Sequence, residues 1–472
     1  MTRRLTLAAL LVFYIALLAL ANHRHLWFDE LYTFYIAQTP SVADFWRELC
    51  LDQNPPLYYL LARAVMALLG NTASAVRLPS MVAFLGASLC LFALIERRFK
   101  TSYAALAVLI FWSTPALYFA TEARPYSLIL GFFGLAMLSW SCSWSPLVLA
   151  LAVAGMMLSH FFAIFFLVPF LFAETVRAFR SRRIDWPVIA ALLLPCVIPF
   201  FFLKIPSGVV FPPAFQAGLR KMASYFYWSL YQEGWVLLIA LCAALAVYRF
   251  LPRQQPTRMT YTAPEVAFVA GLLAIPLFVN AAMMILHGAF FTRYAAPTLF
   301  AFPLLLVAVL AASTNTGRIA ALVMCGFLAL YIPIQKLAKP IPPHPNFAPL
   351  YPELPFVAAS GLSFLEMDHE QPAEVANRLY YLTDHEYALS YAHANLLEGL
   401  TEAAKWFPIR AHVAPFRAFV RDHSKFLVLG TPDYPEDWLL RYLLFIHAKL
   451  EFIGNFPSEY KDTELFLVEM PN

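Results

Sequence analysis

Residues 57–70, Leu57-Tyr58-Tyr59-Leu60-Leu61-Ala62-Arg63-Ala64-Val65-Met66-Ala67-Leu68-Leu69-Gly70, decide the fold. The segment is apolar, but about 14 residues is short for a bilayer core that asks for about 20, and Arg63 sits inside it. The next apolar run, Leu78–Ile95, is long enough to span and ends in Glu96-Arg97-Arg98-Phe99-Lys100. Basic clusters beside spans face the cytoplasm. Arg3 and Arg4 put the N-terminus there, Leu5–Ala21 crosses outward, and only one return fits before residues 96–100. Leu57–Gly70 is then an interfacial helix on the outer face, not a span.

The same parity runs along the chain. Ser102–Phe119 goes out and Tyr126–Ser141 returns. Pro146–Leu158 goes out and Phe161–Val176 returns to Arg177, Arg180, Arg182 and Arg183. Pro187–Leu203 leads to an outer loop, 204–234, and Trp235–Tyr248 returns to Arg249, Arg253 and Arg258. Ala263–Leu286, Tyr294–Ala312 and Ile319–Ile334 complete the set. The sum is about 11 spans with the basic clusters on one side. The Ser/Trp-rich hairpin within 126–158 carries no basic residue, yet without it the later clusters change sides.

Composition agrees. The 472 residues are 61% hydrophobic and 13% charged, against about 25% charged in soluble domains. The chain is a polytopic α-helical membrane protein. The net charge of +4 comes from basic residues clustered between spans, a topology signal and no sign of nucleic acid. Six scattered cysteines form no CxxC and suit small core positions. Ala19-Leu20-Ala21 matches a small-x-small cleavage site, but the many spans that follow favour an uncleaved first helix. The rich span set gives a transmembrane module, 1–338, with outer-face loops 22–77 and 204–234. Pro340-Ile341-Pro342-Pro343-His344-Pro345 marks a linker. Beyond it, 339–472 reads as an extracytoplasmic α/β domain. Strand-like runs lie at Phe356–Ala359, Arg378–Leu382, Lys425–Leu429, Leu450–Ile453 and Glu464–Val468, with helical patterns at Tyr387–Phe407 and Asp437–Ala448.

The residues able to do chemistry fall on the outer side under this topology. Asp29 and Glu30, after Trp27-Phe28, place two carboxylates where the chain leaves the first span, a costly position for residues without work to do. Asp29 also suits a helix cap before Leu31–Tyr35, which is compatible with catalysis. Asp52, Asn54 and Tyr58 belong to Asp52-Gln53-Asn54-Pro55-Pro56-Leu57-Tyr58-Tyr59, a rigid turn with polar groups for a pocket. Glu122 and Arg124, before Pro125-Tyr126, form either an ion pair between helices or a pocket in which Arg124 meets an anion. His160 and His287 stand at helix ends. Arg293-Tyr294 places an outward arginine against the positive-inside trend, as a phosphate site would. Lys204 opens the 204–234 loop, whose part Phe215–Tyr231 has the pattern of an aromatic surface helix. The chain carries no Walker loop, HExxH or GxSxG.

The ordered set of Asp29-Glu30, DxNPPLYYLL, Arg77-Leu78-Pro79-Ser80, EARPY and a late Arg293-Tyr294 resembles the bacterial relatives of dolichyl-phosphate-mannose protein mannosyltransferases. These share the C-type glycosyltransferase fold with aminoarabinose transferases. The resemblance covers roughly 20–335. It implies a glycosyltransferase moving a sugar from a polyprenyl-phosphate carrier to a lipid, glycan or protein acceptor at the outer face of the cytoplasmic membrane. It implies that Asp29 matches the family's catalytic acid position. In such a reaction Asp29 would be the base of a single, inverting displacement, and Glu30 or Glu122 would orient sugar hydroxyls. Arg293, with Arg124 or Lys204, would meet the leaving phosphate. A divalent ion held by a carboxylate with His160 or His287 would fit some relatives; the spacing here establishes none. A polysaccharide polymerase or ligase, or a lipid-linked sugar transporter, is the alternative; a transporter predicts midplane charges and repeat symmetry.

Overall fold

The computed structural model describes residues 2–21, 24–52, 54–202, 208–224, 261–311, 314–337, 345–431, 434–456 and 463–471. The Trp235–Tyr248 span, Lys204 and most of the 340–345 linker lie outside these. Two compact units result, and the division does not follow chain order: residues 24–53 and 204–216 cluster with 340–472.

The first unit is helical. Among the described residues, five helical segments are long and apolar enough to cross a membrane: Thr2–Ala21 (α1), Ala73–Glu96, Phe161–Ser181, Ala263–Ile285 and Thr292–Ala311. Helix α1 exposes Leu5, Leu11, Val12 and Ile15 while burying Tyr14 and Leu17, as a lipid-facing helix does. Leu57–Leu69, the deciding segment, is a helix of 13 residues, about 20 Å long at 1.5 Å per residue. Tyr58, Ala62 and Met66, spaced one turn apart, are buried, while Leu60, Leu61, Leu68 and Leu69 are exposed. One face of the helix is therefore packed inside the unit, while the other, also apolar, is left uncovered.

Prolines rewrite several expected spans. The helix begun at Thr101 stops at Ser113; Thr114-Pro115 breaks it, and Ala116–Ala120 is a separate turn. Trp186–Leu193 continues as a 3-10 segment, Leu194–Phe201, containing Pro195 and Pro199. The expected hairpin is present as helices Tyr126–Ser141 and Pro146–Met157. Several polar groups inside the unit are paired: Tyr14 O–H donates to the Met81 carbonyl at 2.8 Å, and Trp112 Nε1–H to Ser88 at 2.8 Å. Glu174, buried, accepts from Trp140 at 2.6 Å and pairs with Arg177 at 2.8 Å. A stack of Phe84, Phe111, Phe300 and Phe133 runs through the core, with Phe111 and Phe300 centroids 4.6 Å apart. Two glycines permit backbone contact between helices. A Cβ on Gly131 would stand 2.8 Å from the Ala83 carbonyl oxygen, and one on Gly271 2.5 Å from Pro169 Cα. Small residues at such crossings replace hydrophobic drive with close packing.

The second unit holds the sheet. Helices Phe28–Gln38 (α2) and Val42–Asp52 (α3) belong to it, with strands Phe356–Ala358 (β1), Leu379–Thr383 (β2), His412–Pro415 (β3), Lys425–Gly430 (β4), Lys449–Phe456 (β5) and Thr463–Glu469 (β6). Sheet order is β3-β2-β1-β4-β6-β5. β3, β2, β1 and β4 are parallel neighbours, while β6 and β5 run antiparallel. All five expected strands are present; β3, with an unburied pattern, is additional. The expected Tyr387–Phe407 helix is instead a broken series of short turns around Ala388–Ala392, Leu396–Gly399 and Leu400–Ala403. The Asp437–Ala448 pattern is realised as helix Trp438–Phe445. Asp437 caps it, accepting from Leu440 N–H at 3.1 Å and from Thr431 N–H at 3.2 Å. The chain leaves β1 toward β2 and β3 and returns to β4 on β1's other side. The carboxyl ends of β1 and β4 therefore form a topological switch point.

Gly271→Val is expected to destabilise the first unit by about 1–3 kcal/mol, because the partner at 2.5 Å is backbone and cannot move aside. Thermal unfolding of the purified protein in detergent reads this as a lowered Tm; the milder Gly326→Val, with open space around its Cβ, should leave Tm near wild type.

Candidate active site

In the first unit the motif segments are knotted by one hydroxyl. Ser80 Oγ donates to the Glu122 carbonyl at 2.5 Å, lies 3.2 Å from the Arg124 carbonyl, and is hydrogen-bonded to Tyr58 O–H at 2.8 Å. Pro79 removes one helical hydrogen bond here, and Tyr58 O–H also reaches the Val76 carbonyl at 3.0 Å. The Leu57 N–H donates to the Leu158 carbonyl at 3.1 Å, which carries this knot to Ser159-His160.

Around His160 the sequence candidates converge. Tyr126 and Tyr294 have ring centroids 5.6 and 5.9 Å from its own, and Phe162 stacks on Tyr294 at 4.1 Å. The Arg293 guanidinium lies 5.8 Å from the Tyr126 centroid and 4.8 Å from that of Phe291. Both distances fall within cation–π range. Burial, then the charges of Arg124 and Arg293, push the His160 pKa down to about 3. His160 Nδ1 accepts the Phe162 N–H at 3.1 Å, so the neutral ring carries its proton on Nε2 and keeps one donor. The result is a cluster of two guanidiniums, one imidazole N–H and aromatic faces.

In the second unit the acids gather on α2. Asp29 is not the helix cap: the helix begins at Phe28 with Trp27 before it, which puts Asp29 and Glu30 in the first turn, where the dipole favours carboxylates. Glu30 is fully buried, pairs with Arg24 at 3.5 Å and accepts from Trp27 N–H at 3.4 Å. It is occupied structurally. Asp29 is half-buried, and its field reaches Tyr32, Tyr434 and Glu436. Asp52 and Asp29 both act on Tyr32, whose hydroxyl is pushed up chiefly by burial. Glu436, in the turn after β4, has a buried Oε2 with no hydrogen-bond partner among the described residues, and burial followed by Asp29 pushes its pKa up to about 7. Glu366, on helix Gly361–Glu370, is buried and accepts the Phe28 N–H at 3.0 Å. Sequence reading missed Glu366 and Glu436. The signal for Glu436 is its place just after a strand at the switch point, visible only once strand order is known.

His287 is exposed, with a left-handed φ of 52°, in the turn that ends Ala263–Ile285. Asn54 is buried, whereas Glu122 is tied into the Ser80 knot through its carbonyl. Lys204 lies outside the described residues. No cluster of three or more His, Cys, Asp or Glu suited to a metal occurs among the described residues, so His160 and His287 do not build one there.

The raised Glu436 pKa sets a sign for stability. The folded state keeps this proton while the unfolded chain loses it above about pH 4.5, so stability falls as pH rises toward 7 and the loss is complete above that. The shift corresponds to at most about 3 kcal/mol. Glu436→Gln should shrink the fall in Tm between pH 5 and pH 8. Asp437, also pushed up to about 7 by burial, keeps its share in both proteins.

Residues 53–202 match the family model of dolichyl-phosphate-mannose-protein mannosyltransferase. No curated protein matches. Among solved structures, ArnT from Cupriavidus metallidurans in the apo state has the same fold, with TM-score 0.53 and 12% identity over 98% of this chain and 97% of that one. The same enzyme bound to undecaprenyl phosphate gives TM-score 0.50 and 14% identity, again over 98% and 97%. The matched segment holds the Asn54–Tyr58, Ser80, Glu122–Tyr126 and His160 elements of the first unit, while Asp29 and Arg293 lie beyond it. The family match is confined to residues 53–202, and over nearly its whole length the chain shares the C-type glycosyltransferase fold of ArnT.

Proposed function

We propose that the protein transfers a sugar from a polyprenyl-phosphate carrier to an acceptor hydroxyl or amine at the outer face of the cytoplasmic membrane. The observation that carries this reading is the convergence of Arg124 and Arg293 on a neutral, N–H-bearing His160 among aromatic rings. Two fixed cations and a neutral donor suit a phosphate ester of a lipid. The family match and the undecaprenyl phosphate bound to ArnT favour that ligand.

No nucleotide is needed, since the energy resides in the glycosyl phosphate bond. The acceptor oxygen or nitrogen attacks the anomeric carbon, the bond from that carbon to phosphate oxygen breaks, and the configuration inverts. Asp29 takes the acceptor proton, help worth about 10²–10⁴-fold. The polyprenyl phosphate leaves with added negative charge, which Arg124 and Arg293 stabilise while His160 Nε2–H donates to it. Aromatic faces such as Tyr126 and Tyr294 line the donor. Asn54 and Tyr58 support that arrangement, and Asp52 serves as a further polar group for the donor. Glu30, buried against Arg24 and the helix start, holds the acidic turn in shape and does not turn over protons.

Asp29→Asn should lower transfer at least 10²-fold at unchanged expression, assayed as release of undecaprenyl phosphate from a panel of undecaprenyl-phosphate-linked pentoses and hexoses in membranes. Near-normal turnover would remove Asp29 from the role of base. Arg293→Ala should weaken undecaprenyl phosphate binding about tenfold or more, the usual cost of deleting one partner of a charge-assisted pair; titration of the purified protein with the lipid measures it, and unchanged affinity would exclude the residue from the phosphate site.

A further inference from the structure

Helix α2 begins at Phe28 after Trp27, which supplies no side-chain cap. Its first free N–H groups are nevertheless claimed. The helix's own Glu30 reaches Trp27 N–H, and Glu366, far along the chain, accepts Phe28 N–H at 3.0 Å in a buried bond. A carboxylate at this point satisfies an orphan donor and meets the positive end of the helix dipole. The contact is one of a register. Glu366, His369 and Glu370, at i, i+3 and i+4, form one face of helix Gly361–Glu370. His369 Nδ1 lies 3.3 Å from Tyr35 O–H, and Glu370 lies 3.6 Å from His25. Tyr32 packs edge-on against Phe407 at 5.0 Å, and Arg47 of α3 lies over Trp406 at 4.3 Å. The helix that bears Asp29 is thus packed and capped by side chains of the C-terminal segment, and the cap falls on the residue immediately before Asp29.

We propose that Glu366 is a positioning residue for Asp29, capping its helix from the C-terminal domain, and that through this bond the domain governs the rate of transfer as well as any acceptor it contacts. The inference rests on the reading of Asp29 as base. Its chemistry is specific: the Phe28 N–H needs an acceptor oxygen, which an amide supplies and a methyl does not. Without it, the first turn frays and the Asp29 carboxylate is no longer held in the orientation that proton transfer requires.

The test compares Glu366→Ala and Glu366→Gln in the full-length protein. The same panel of undecaprenyl-phosphate-linked pentoses and hexoses serves as donor, beside hydrogen–deuterium exchange of the peptide holding residues 26–33. The alanine variant should lose about 10–100-fold in kcat with donor KM within about threefold, and its exchange should rise in that peptide with the rest of the chain unchanged. The glutamine variant should keep kcat within about threefold of wild type and wild-type exchange. Equal losses in both variants, or wild-type rate and exchange in the alanine variant, would overturn the positioning role. Exchange reports on the cap even if Asp29→Asn proves active: in that case the base assignment fails, while the cap is judged separately. A chain-wide rise in exchange in the alanine variant would mark Glu366 as a general folding residue and overturn a role specific to Asp29.

Discussion

The structure of the first unit depends on how a polar group is satisfied where water is scarce. An unpaired carbonyl in a membrane interior costs several kcal/mol. Ser80 Oγ donates its one proton to the Glu122 carbonyl, lies 3.2 Å from that of Arg124, and is bonded to Tyr58. This hydroxyl therefore joins the DxNPPLYY, RLPS and EARPY segments physically. It fixes Arg124 through its own backbone, so the side chain that reaches toward His160 starts from a defined anchor. The ordered motif set has a mechanical reason as well as a chemical one.

Much of the fold was legible because the bilayer leaves few choices. Apolar length, arginine clusters and the shortness of Leu57–Leu69 gave the helices, and short strand-like apolar runs gave five strands of the sheet. What failed has local causes. Pro115, Pro195 and Pro199 interrupt apolar runs that hydropathy alone joins. The apolar residues of 387–407 pack as successive short turns, since tertiary contacts such as the Tyr387–Tyr442 stack at 4.2 Å override the helical period. Strand β3, His412–Pro415, is half-exposed at the sheet's edge and lacks the alternation that marks a strand in sequence.

The site was legible where motif residues are close in space within one unit. Arg124, Tyr126, His160, Arg293 and Tyr294 came together as expected from their shared helix ends. Asp29 drew attention by its cost, two carboxylates beside the first span, but its place in the first turn did not follow, because Trp27 gives no capping signal. Glu366 and Glu436 were invisible because their partners are hundreds of residues away in sequence. A glutamate in an ordinary helix and another in a proline-rich turn carry no local mark; only strand order and the packing of α2 reveal them.

Both clusters handle charge in the same way. Gathering several like charges in a poorly solvated place costs more with each addition, and the structure avoids the last addition by keeping one titratable member neutral. Beside Arg124 and Arg293, His160 gives up its second proton; near Asp29, Glu436 holds its own up to about pH 7. Neutrality does not make either group inert. The imidazole keeps an Nε2–H and the carboxylic acid an O–H, so each remains a hydrogen-bond donor without adding to the local charge. His160 thus adds no further positive charge beside Arg124 and Arg293, and Glu436 adds no negative charge near Asp29 below about pH 7. In the proposed transfer, phosphate departure calls for cationic and N–H donor groups and deprotonation of an acceptor calls for a carboxylate, so the two proton inventories suit the two halves of that reaction.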